Sequence, residues 1–281
     1  MKRLISTFAA AWLACTSAGA TVVIDFPDFS STTGLAINGN AAAVGGALRV
    51  TPAIDGQAGS VFSLNPISLA SNASFSTYFQ FRFTNPDLNF CDGQGCGADG
   101  LVFVVQTVSN NVGGAGGGIG YLGIPNSIGI EFDNWNNGAG DSNSSNHVGI
   151  NVGGSVSSTV LRVITEADLN GGDVWHSWVD YNGATNLLEV RLNRTGVRPG
   201  ASFLSLTRDI AADLGSLNAF VGFTSGTGAS HANHDVLAWT LADNFAPINS
   251  GVPPVPEPGT YALMLAGLAA VAAAARRHRR G

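Results

Sequence analysis

The chain has 281 residues, of which only 11% are charged, 37 are glycine and three are cysteine, so a disulfide-dense miniprotein is excluded. Residues 21–250 carry 18 acidic residues against seven arginines and no lysine, a net charge of −11 that the basic ends of the chain partly hide. An acidic body of this kind lacks the basic surface that nucleic-acid binding requires, so nucleic acid is excluded as a partner, and cations or neutral ligands suit it better.

The first 20 residues have the layout of a secretory signal peptide. A basic start is followed by an apolar run at 4–14 and by small residues at 18–20. We expect cleavage before Thr21 and export of the mature chain to an oxidising compartment. Cys15 raises the alternative of a lipoprotein, which Trp12 disfavours because it stands three places before that cysteine.

Residues 21–249 predict a β-sandwich. Apolar and polar side chains alternate at 74–83, 128–132, 148–152 and 188–192. Residues 101–105 are apolar on both faces, and glycine- and asparagine-rich turns separate all these runs. Many short strands without intervening helices indicate antiparallel sheets packed face to face, so we expect a single all-β domain.

Cys91 and Cys96 flank a short Asp-Gly-Gln-Gly stretch just before Asp99. In an exported protein we expect them to form a disulfide, which would stiffen the segment that carries Asp99. A metal site with two cysteines is the alternative, although the chain has no second cysteine pair to complete it.

Polar side chains that suit a metal ion concentrate between Glu131 and His147. Glu131 and Asp133 lie two apart on a predicted strand and face the same side, the loop that follows carries Asn137 and Asp141, and His147 opens the next strand. Converging carboxylates repel each other, and a bound cation removes the repulsion. Carboxylate and amide oxygens suit calcium, whereas an imidazole among carboxylates suits manganese or zinc, so two adjacent metals are predicted. A solvated Asn/Asp loop is the alternative.

The C-terminal end has three parts: a proline-rich linker at 250–259, an uncharged run at 261–275 and an arginine cluster at 276–280. A helix over 260–281 would place its arginines in the cytoplasm, and roughly 22 Å of uncharged helix is short for an unaided span. With Pro256-Glu257-Pro258 directly before it, this tail resembles the PEP-CTERM sorting signal of Gram-negative bacteria. The resemblance implies processing by an exosortase, transient anchoring in the inner membrane, and delivery to the cell surface or extracellular matrix. An ordinary tail anchor is the alternative.

The segment 131–152 resembles the metal-binding segment of legume-type (L-type) lectins. It shares Glu-x-Asp-x-aromatic-x-Asn, a later Asp, and His-Val-Gly-Ile-Asn-Val, with spacings before and after Asp141 slightly longer than in many plant members. The resemblance implies a concanavalin-like jelly-roll fold with two metal sites. Manganese would be held by Glu131, Asp133, Asp141 and His147. Calcium would be held by Asp133, the carbonyl of Trp135, Asn137 and Asp141.

Three further segments match the same family in the expected order. Ala98-Asp99-Gly100 resembles the loop in which a cis peptide precedes a sugar-binding aspartate. The stretch 116–124 resembles the loop whose glycine amide contacts the sugar, and position favours Gly120. The stretch 221–230 resembles the late loop and puts Ala229 and Ser230 at positions that set specificity. The resemblance implies that Asp99, Gly120 and Asn137 bind sugar hydroxyls, with Tyr121 or Trp135 as an aromatic platform, while calcium holds Asn137 and the bond before Asp99 in place.

We therefore expect a calcium-dependent lectin that binds a mono- or oligosaccharide without catalysis; nothing in the sequence sets its oligomeric state. One alternative is a structural protein of an exopolysaccharide matrix that keeps the metal-stabilised fold and binds no free sugar. The other is a glycoside hydrolase of the same fold, which needs a further glutamate on the strand of Glu131, whereas position 135 is tryptophan.

Overall fold

The structure, a computed structural model, describes residues 21–249. The predicted signal peptide at 1–20, the linker at 250–259 and the helix and arginine-rich tail at 260–281 lie outside these residues. Within residues 21–249, no helix is long and apolar enough to cross a membrane. The elements in chain order are β1 (Val22–Phe26), β2 (Leu35–Gly39), β3 (Ala42–Val44), β4 (Ala47–Thr51), β5 (Ala58–Ser63), β6 (Ile67–Ser68), β7 (Phe75–Thr84), β8 (Gly100–Gln106), β9 (Ser127–Asp133), β10 (His147–Val152), β11 (Val160–Val163), β12 (Trp175–Asn182), β13 (Leu187–Asn193), β14 (Leu204–Thr207), α1 (Ile210–Leu214), β15 (Asn218–Gly226) and β16 (Asn233–Ala242).

The strands of the described part form two sheets of eight strands each. Sheet I has the order β14-β13-β12-β7-β16-β4-β3, with β1 paired to β16. Sheet II has the order β11-β10-β9-β8-β15-β5-β2, with β6 paired to β15. Neighbouring strands are antiparallel, so the predicted all-β sandwich of antiparallel sheets is confirmed.

The core lies between the two sheets and is rich in aromatic rings. The phenylalanines of β7 point into it, as their alternation predicts, and Phe79 is fully buried. The ring of Phe79 lies 5.6 Å from Phe103 of β8, 5.7 Å from Phe132 of β9 and 5.1 Å from Phe223 of β15, measured between ring centroids. Burial of such large apolar surfaces between the layers is what fixes sheet I against sheet II.

β8 is apolar on both faces because both faces are covered. Phe103 points into the main core, whereas Val102 and Val104 face the other way and pack in a second cluster with Phe62 and Tyr121. Tyr121 belongs to the glycine-rich segment before β9, which therefore lies over the outer face of sheet II. This segment leads to the end of the sheet where the candidate site lies.

Candidate metal centre and adjoining site

Several strand ends meet at one end of sheet II. In the β8–β9–β10 register, Asp133, the last residue of β9, lies opposite both Gly100 and His147. Gly226, the last residue of β15, also lies opposite Gly100. Because neighbouring strands are antiparallel, the segments before β8, after β9, before β10 and after β15 all leave the sheet here. We call this place the Asp133 end of sheet II, and it gathers the loops selected from the sequence.

A buried cluster of Asp133, Asp141 and His147 lies at this end. Each residue offers a ligand atom, and these atoms lie within 4.8 Å of one another. His147 Nδ1 is 3.0 Å from the carbonyl oxygen of Ser144, and because a carbonyl can only accept, Nδ1 donates. Nε2 is buried without a hydrogen-bond partner among the described residues and lies 3.5 Å from Glu131 Oε1. With Nδ1 fixed as a donor to the backbone, Nε2 is the ring nitrogen that could face a metal ion.

The electrostatics of the cluster favour a cation. Burial raises the pKa of Asp133 well above its ordinary value, and the charges of Glu131, Asp141 and Asp99 raise it further. The hydrogen bond from the Trp135 N–H lowers this pKa, but by less. Burial also raises the pKa of Asp141. Within residues 21–249 neither aspartate forms an ion pair with an arginine. Oxygen donors beside one imidazole nitrogen therefore fit a divalent ion.

Glu131 lies beside the cluster but has partners of its own. Asn151 donates to Oε2, and Ser158 donates to Oε1. Gly149, its cross-strand partner, makes room for this arrangement, because a Cβ there would lie 2.2 Å from Oε1. Asn151 and Ser158 were not predicted from the sequence, although Asn151 has the same strand parity as His147. Each carboxylate oxygen still has a lone pair for a metal.

The loop after β9 is shaped by hydrogen bonds to the clustered acids. The Trp135 N–H donates to Asp133 Oδ1 at 2.8 Å, and the Asn137 N–H donates to Asp141. Asn137 is exposed, and the glycine-rich segment approaches it so closely that a Cβ on Gly117 would lie 3.2 Å from its Nδ2. The Asn137 side chain is thereby placed at the boundary between the acidic cluster and solvent.

Asp99 stands next to this loop with an unused carboxylate oxygen. The Ala98–Asp99 peptide bond is cis, and the Asp99 N–H donates to the Gly226 carbonyl at 3.1 Å. The side chain is only 4% exposed, and burial raises its pKa to about 7. Oδ2 has no hydrogen-bond partner in the described chain, and a Cβ on Gly228 would lie 3.3 Å from it. Asp99 is thus a buried acceptor that can receive a hydrogen bond from a ligand.

The remaining predicted sugar contacts differ in their surroundings. Gly120 is buried with a φ of +68°, and a Cβ there would lie 2.8 Å from Cβ of Thr224, so the position requires glycine for packing. Ala229 is exposed, whereas Ser230 is buried and its Oγ donates to the Phe90 carbonyl at 2.8 Å. The contacts of Gly117 and Gly228 with the two polar site residues were not foreseen from the sequence.

Cys91 and Cys96 form a disulfide, and the loop that they close docks on the segment 134–146. Oδ2 of Asp92 accepts from the Asn136 N–H at 2.8 Å. Oε1 of Gln94 accepts from the Ser145 N–H at 3.0 Å. The disulfide loop therefore holds the segment 134–146 on both sides of Asp141. No local sequence pattern signals these contacts, because the partners are more than 40 residues apart.

A series of buried hydrogen bonds, which we call the hydrogen-bond chain, ends at the backbone carbonyl of Gly100. Ser225 Oγ donates to the Gly100 carbonyl at 2.6 Å, so its only proton is used. Thr51 Oγ1, 2.7 Å away, must then donate to Ser225, and His234 Nδ1, 2.8 Å from Thr51, must donate to Thr51. Full burial lowers the pKa of His234 to about 3, so the ring is neutral. The hydrogen-bond chain links sheet I to sheet II and ends at Gly100, the residue after Asp99.

Comparison with known proteins assigns the sandwich to a class. A profile of the legume lectin domain matches residues 22–253, and the chain belongs to that family. Residues 254–280 match the PEP-CTERM protein-sorting motif, as the sequence predicted.

Individual relatives agree with this assignment. The L-type lectin-domain containing receptor kinase VIII.1 of Arabidopsis thaliana is 32% identical over 211 residues, which cover 70% of this chain but only 28% of the kinase. Favin of Vicia faba is 30% identical over 213 residues, which cover 69% of this chain and 83% of favin. A lectin from Bauhinia forficata, solved in complex with GalNAc, superposes with a TM-score of 0.67 at 22% identity and covers 80% of this chain and 98% of the lectin, which shows the shared fold.

Proposed function

We propose that the protein is a calcium-dependent lectin that binds a mono- or oligosaccharide at the Asp133 end of sheet II without catalysis. Membership of the legume lectin domain family and the similarity to favin support carbohydrate binding. The observation that carries the site assignment is Asp99, a buried carboxylate whose Oδ2 has no partner among the described residues. Sugar hydroxyls donate hydrogen bonds to such an oxygen, and each charge-assisted bond contributes about 1.5–3 kcal/mol when water is excluded.

The residues of the acidic cluster fit the two metals that the sequence suggests. Calcium would be held by Asp133, the Trp135 carbonyl, Asn137 and Asp141, and manganese or another transition ion by Glu131, Asp133, Asp141 and His147. When bound, the ions neutralise the clustered carboxylates and hold the loop that carries Asn137 in one conformation. The chain itself contributes the fixed orientation of His147 through Ser144 and of Asp141 through the Asn137 N–H.

The aromatic platform is assigned to Trp135. Tyr121, the other candidate, is fully buried, and its hydroxyl is hydrogen-bonded to Ser127 Oγ at 2.9 Å and accepts from the Gly154 N–H, so it cannot reach a ligand. Trp135 is half-buried and lies two residues from both Asp133 and Asn137. An indole ring at this position can pack against the apolar face of a pyranose while the neighbouring polar groups bind its hydroxyls.

A glycan array tests the proposal. The purified protein is applied in calcium and manganese, and again after EDTA, and Asp99→Asn is compared with Asp173→Asn, a matched change at an exposed ion pair with Arg194. We expect specific signals that EDTA removes, a roughly ten- to hundredfold weaker affinity for Asp99→Asn, and no change for Asp173→Asn.

Other outcomes would identify the alternatives. Signals that survive EDTA and Asp99→Asn would disprove the assigned site. A complete lack of signal would favour a structural protein of an exopolysaccharide matrix, and release of shorter sugars would indicate a glycoside hydrolase. Trp135 stands where that hydrolase would need a further glutamate, which favours binding over hydrolysis.

The location follows from the ends of the chain. The PEP-CTERM motif at 254–280 suggests export and sorting to the surface. We propose that residues 1–20 direct export, that an exosortase recognises the C-terminal motif, and that residues 260–281 anchor the protein transiently in the inner membrane. Exopolysaccharide at the cell surface or in the matrix is then the ligand within reach.

A further inference from the structure

The disulfide loop brings a second aromatic ring to the proposed sugar site. Phe90 immediately precedes Cys91, is 49% exposed, and stacks on Trp135 with ring centroids 5.6 Å apart and planes 8° apart. Carbon atoms in face-to-face contact are about 3.5–4.0 Å apart, so parallel rings with this centroid separation are displaced sideways. Each ring keeps part of its face uncovered. Phe90 and Trp135 together form an apolar step, which we call the aromatic step.

The backbone of Phe90 is held from two sides. Its carbonyl accepts from Ser230 Oγ at 2.8 Å, which ties it to the loop after β15. The disulfide loop that follows is tied to the segment 134–146 through Asp92 and Gln94. An aromatic ring on a fixed backbone loses little conformational entropy when a ligand packs on it. Phe90 is therefore preorganised for binding.

The aromatic step is continuous with the polar groups of the site. Gly228 lies against Asp99 Oδ2, and Ser230, two residues later, contacts Phe90. Trp135 lies two residues from Asn137 on the other side. A ligand that reached Asp99 and Asn137 could pack on Trp135, and Phe90, stacked on Trp135, is the next aromatic ring along this surface.

The charges around the aromatic step select the kind of ring. Asp87 and Asp92 stand on the same loop as Phe90, and a carboxylate oxygen of Asp55 lies within 4.8 Å of one of Asp87. These negative charges repel uronate and sulfated sugars. Uncharged pyranose rings, which combine apolar C–H faces with hydroxyl groups, are therefore the ligands that suit this surface.

We propose that Phe90 stacks on a second, uncharged pyranose unit, so that the site prefers an oligosaccharide of at least two units to the monosaccharide. The proposal rests on the proposed function, which places the first unit at Asp99 and Trp135. Phe90 then determines chain-length preference, whereas Asp99 determines whether any sugar binds.

The test uses a glycan array that presents each uncharged sugar as mono-, di- and trisaccharide in calcium buffer, with titration of the strongest series. The variants are Phe90→Ala, Phe90→Tyr and the matched control Leu88→Ala, a 75% exposed apolar side chain on the same loop. We expect the wild type to bind the di- and trisaccharide more tightly than the monosaccharide. Phe90→Ala should lose about tenfold on the longer sugars and nothing on the monosaccharide. Phe90→Tyr and Leu88→Ala should match the wild type.

Each other result overturns the proposal in a recognisable way. Equal binding of mono- and oligosaccharide by the wild type, or an equal loss on both in Phe90→Ala, shows that Phe90 only supports Trp135. Phe90→Ala that binds as the wild type does shows that the second unit lies elsewhere. Both of these leave the EDTA and Asp99→Asn results intact, whereas failure of the proposed function removes binding of the wild type altogether. Unfolding curves of the variants confirm that they fold.

Discussion

Among residues 21–249, buried carboxylates occur in both sheets, but only those of sheet I have arginine partners. Asp235 of β16 is fully buried, and it lies 2.8 Å from Arg49 and 3.7 Å from Arg82. Asp180 of β12 likewise meets two arginines. A buried charge without a counter-charge is costly, and these arginines supply the counter-charges for Asp235 and Asp180.

At the Asp133 end of sheet II the same chain leaves its acids without such partners. Asp133, Asp141 and Asp99 are all buried, and in the described residues none of them forms an ion pair with an arginine. The buried acids of sheet I therefore have their counter-charges within the chain, whereas we propose that the acids at the Asp133 end of sheet II take theirs from a bound cation. If this difference holds, the acids of sheet I should matter for stability with or without metal, and those at the Asp133 end only when an ion is bound.

The largest change in the free energy of unfolding is expected from a substitution in sheet I, and it should not depend on metal. Asp235→Ala should lower the free energy of unfolding by about 3 kcal/mol, because it leaves Arg49 and Arg82 without their acid in a partly buried setting. The loss should be the same in EDTA and in calcium, measured by denaturant unfolding. Asp173→Asn, which breaks an exposed pair, should change stability by less than about 1 kcal/mol. A loss for Asp235→Ala that calcium restores would contradict the comparison.

In sheet II, removal of a buried carboxylate should change the stability of the protein only by removing the stabilisation that a bound ion provides. Calcium at about 100 times its dissociation constant should stabilise the wild type by about 2.7 kcal/mol over the EDTA form. Asp133→Asn should abolish that increment and should leave the EDTA form as stable as the wild type or more stable, because it removes a charge from a repulsive cluster. Calorimetry with and without calcium measures both effects. A marked destabilisation of Asp133→Asn in EDTA would show that this acid is structural.

The pH dependence should have opposite signs with and without metal. Burial raises the folded pKa of Asp99 from 3.8 to about 7, and that of Asp133 is raised as well. Such groups hold their protons more tightly in the folded state, so their contribution is fully present below pH 3.8 and is lost as pH rises through about 7.

In EDTA the contribution of these acids to the melting temperature should therefore fall between pH 5 and pH 8, whereas the increment from calcium should grow because protons no longer compete with the ion. Buried His234, whose pKa is lowered to about 3, acts in the opposite direction below its ordinary pKa of 6.5, so the wild type is compared with Asp99→Asn, in which His234 is unchanged. Melting curves at constant ionic strength should show that the wild type loses more stability than Asp99→Asn as the pH rises from 5 to 8 in EDTA. Parallel EDTA profiles for the two proteins would show that Asp99 is already stabilised by groups of the chain.

The sequence predicted what local pattern determines and missed what distant contacts determine. Alternation alone located β9 and β10, and strand parity placed Asp133 and His147 together, because a hairpin between adjacent strands fixes which residues are opposed. The partners of Glu131 and the docking of Gln94 on Ser145 did not follow, since they join segments far apart in sequence. Tyr121 was predicted as a possible platform, and its burial against Val102 and Val104 of β8 was missed because that burial depends on tertiary packing.

The smallest effect concerns the hydrogen-bond chain that links the two sheets beneath Gly100. Thr51→Val keeps the shape of the side chain but leaves His234 Nδ1 and Ser225 Oγ each short of a partner, so it should cost about 1–2 kcal/mol of stability. Thr51→Ser keeps the hydroxyl and should cost less. Because His234 is neutral across this range, the loss should not vary between pH 5 and pH 8, unlike the effects at the Asp133 end. If the chain also positions Gly100 for the site, Thr51→Val should weaken sugar binding in calcium while Thr51→Ser restores it. A loss of stability without any change in affinity would show that the hydrogen-bond chain joins sheet I to sheet II but does not position Gly100 for sugar binding.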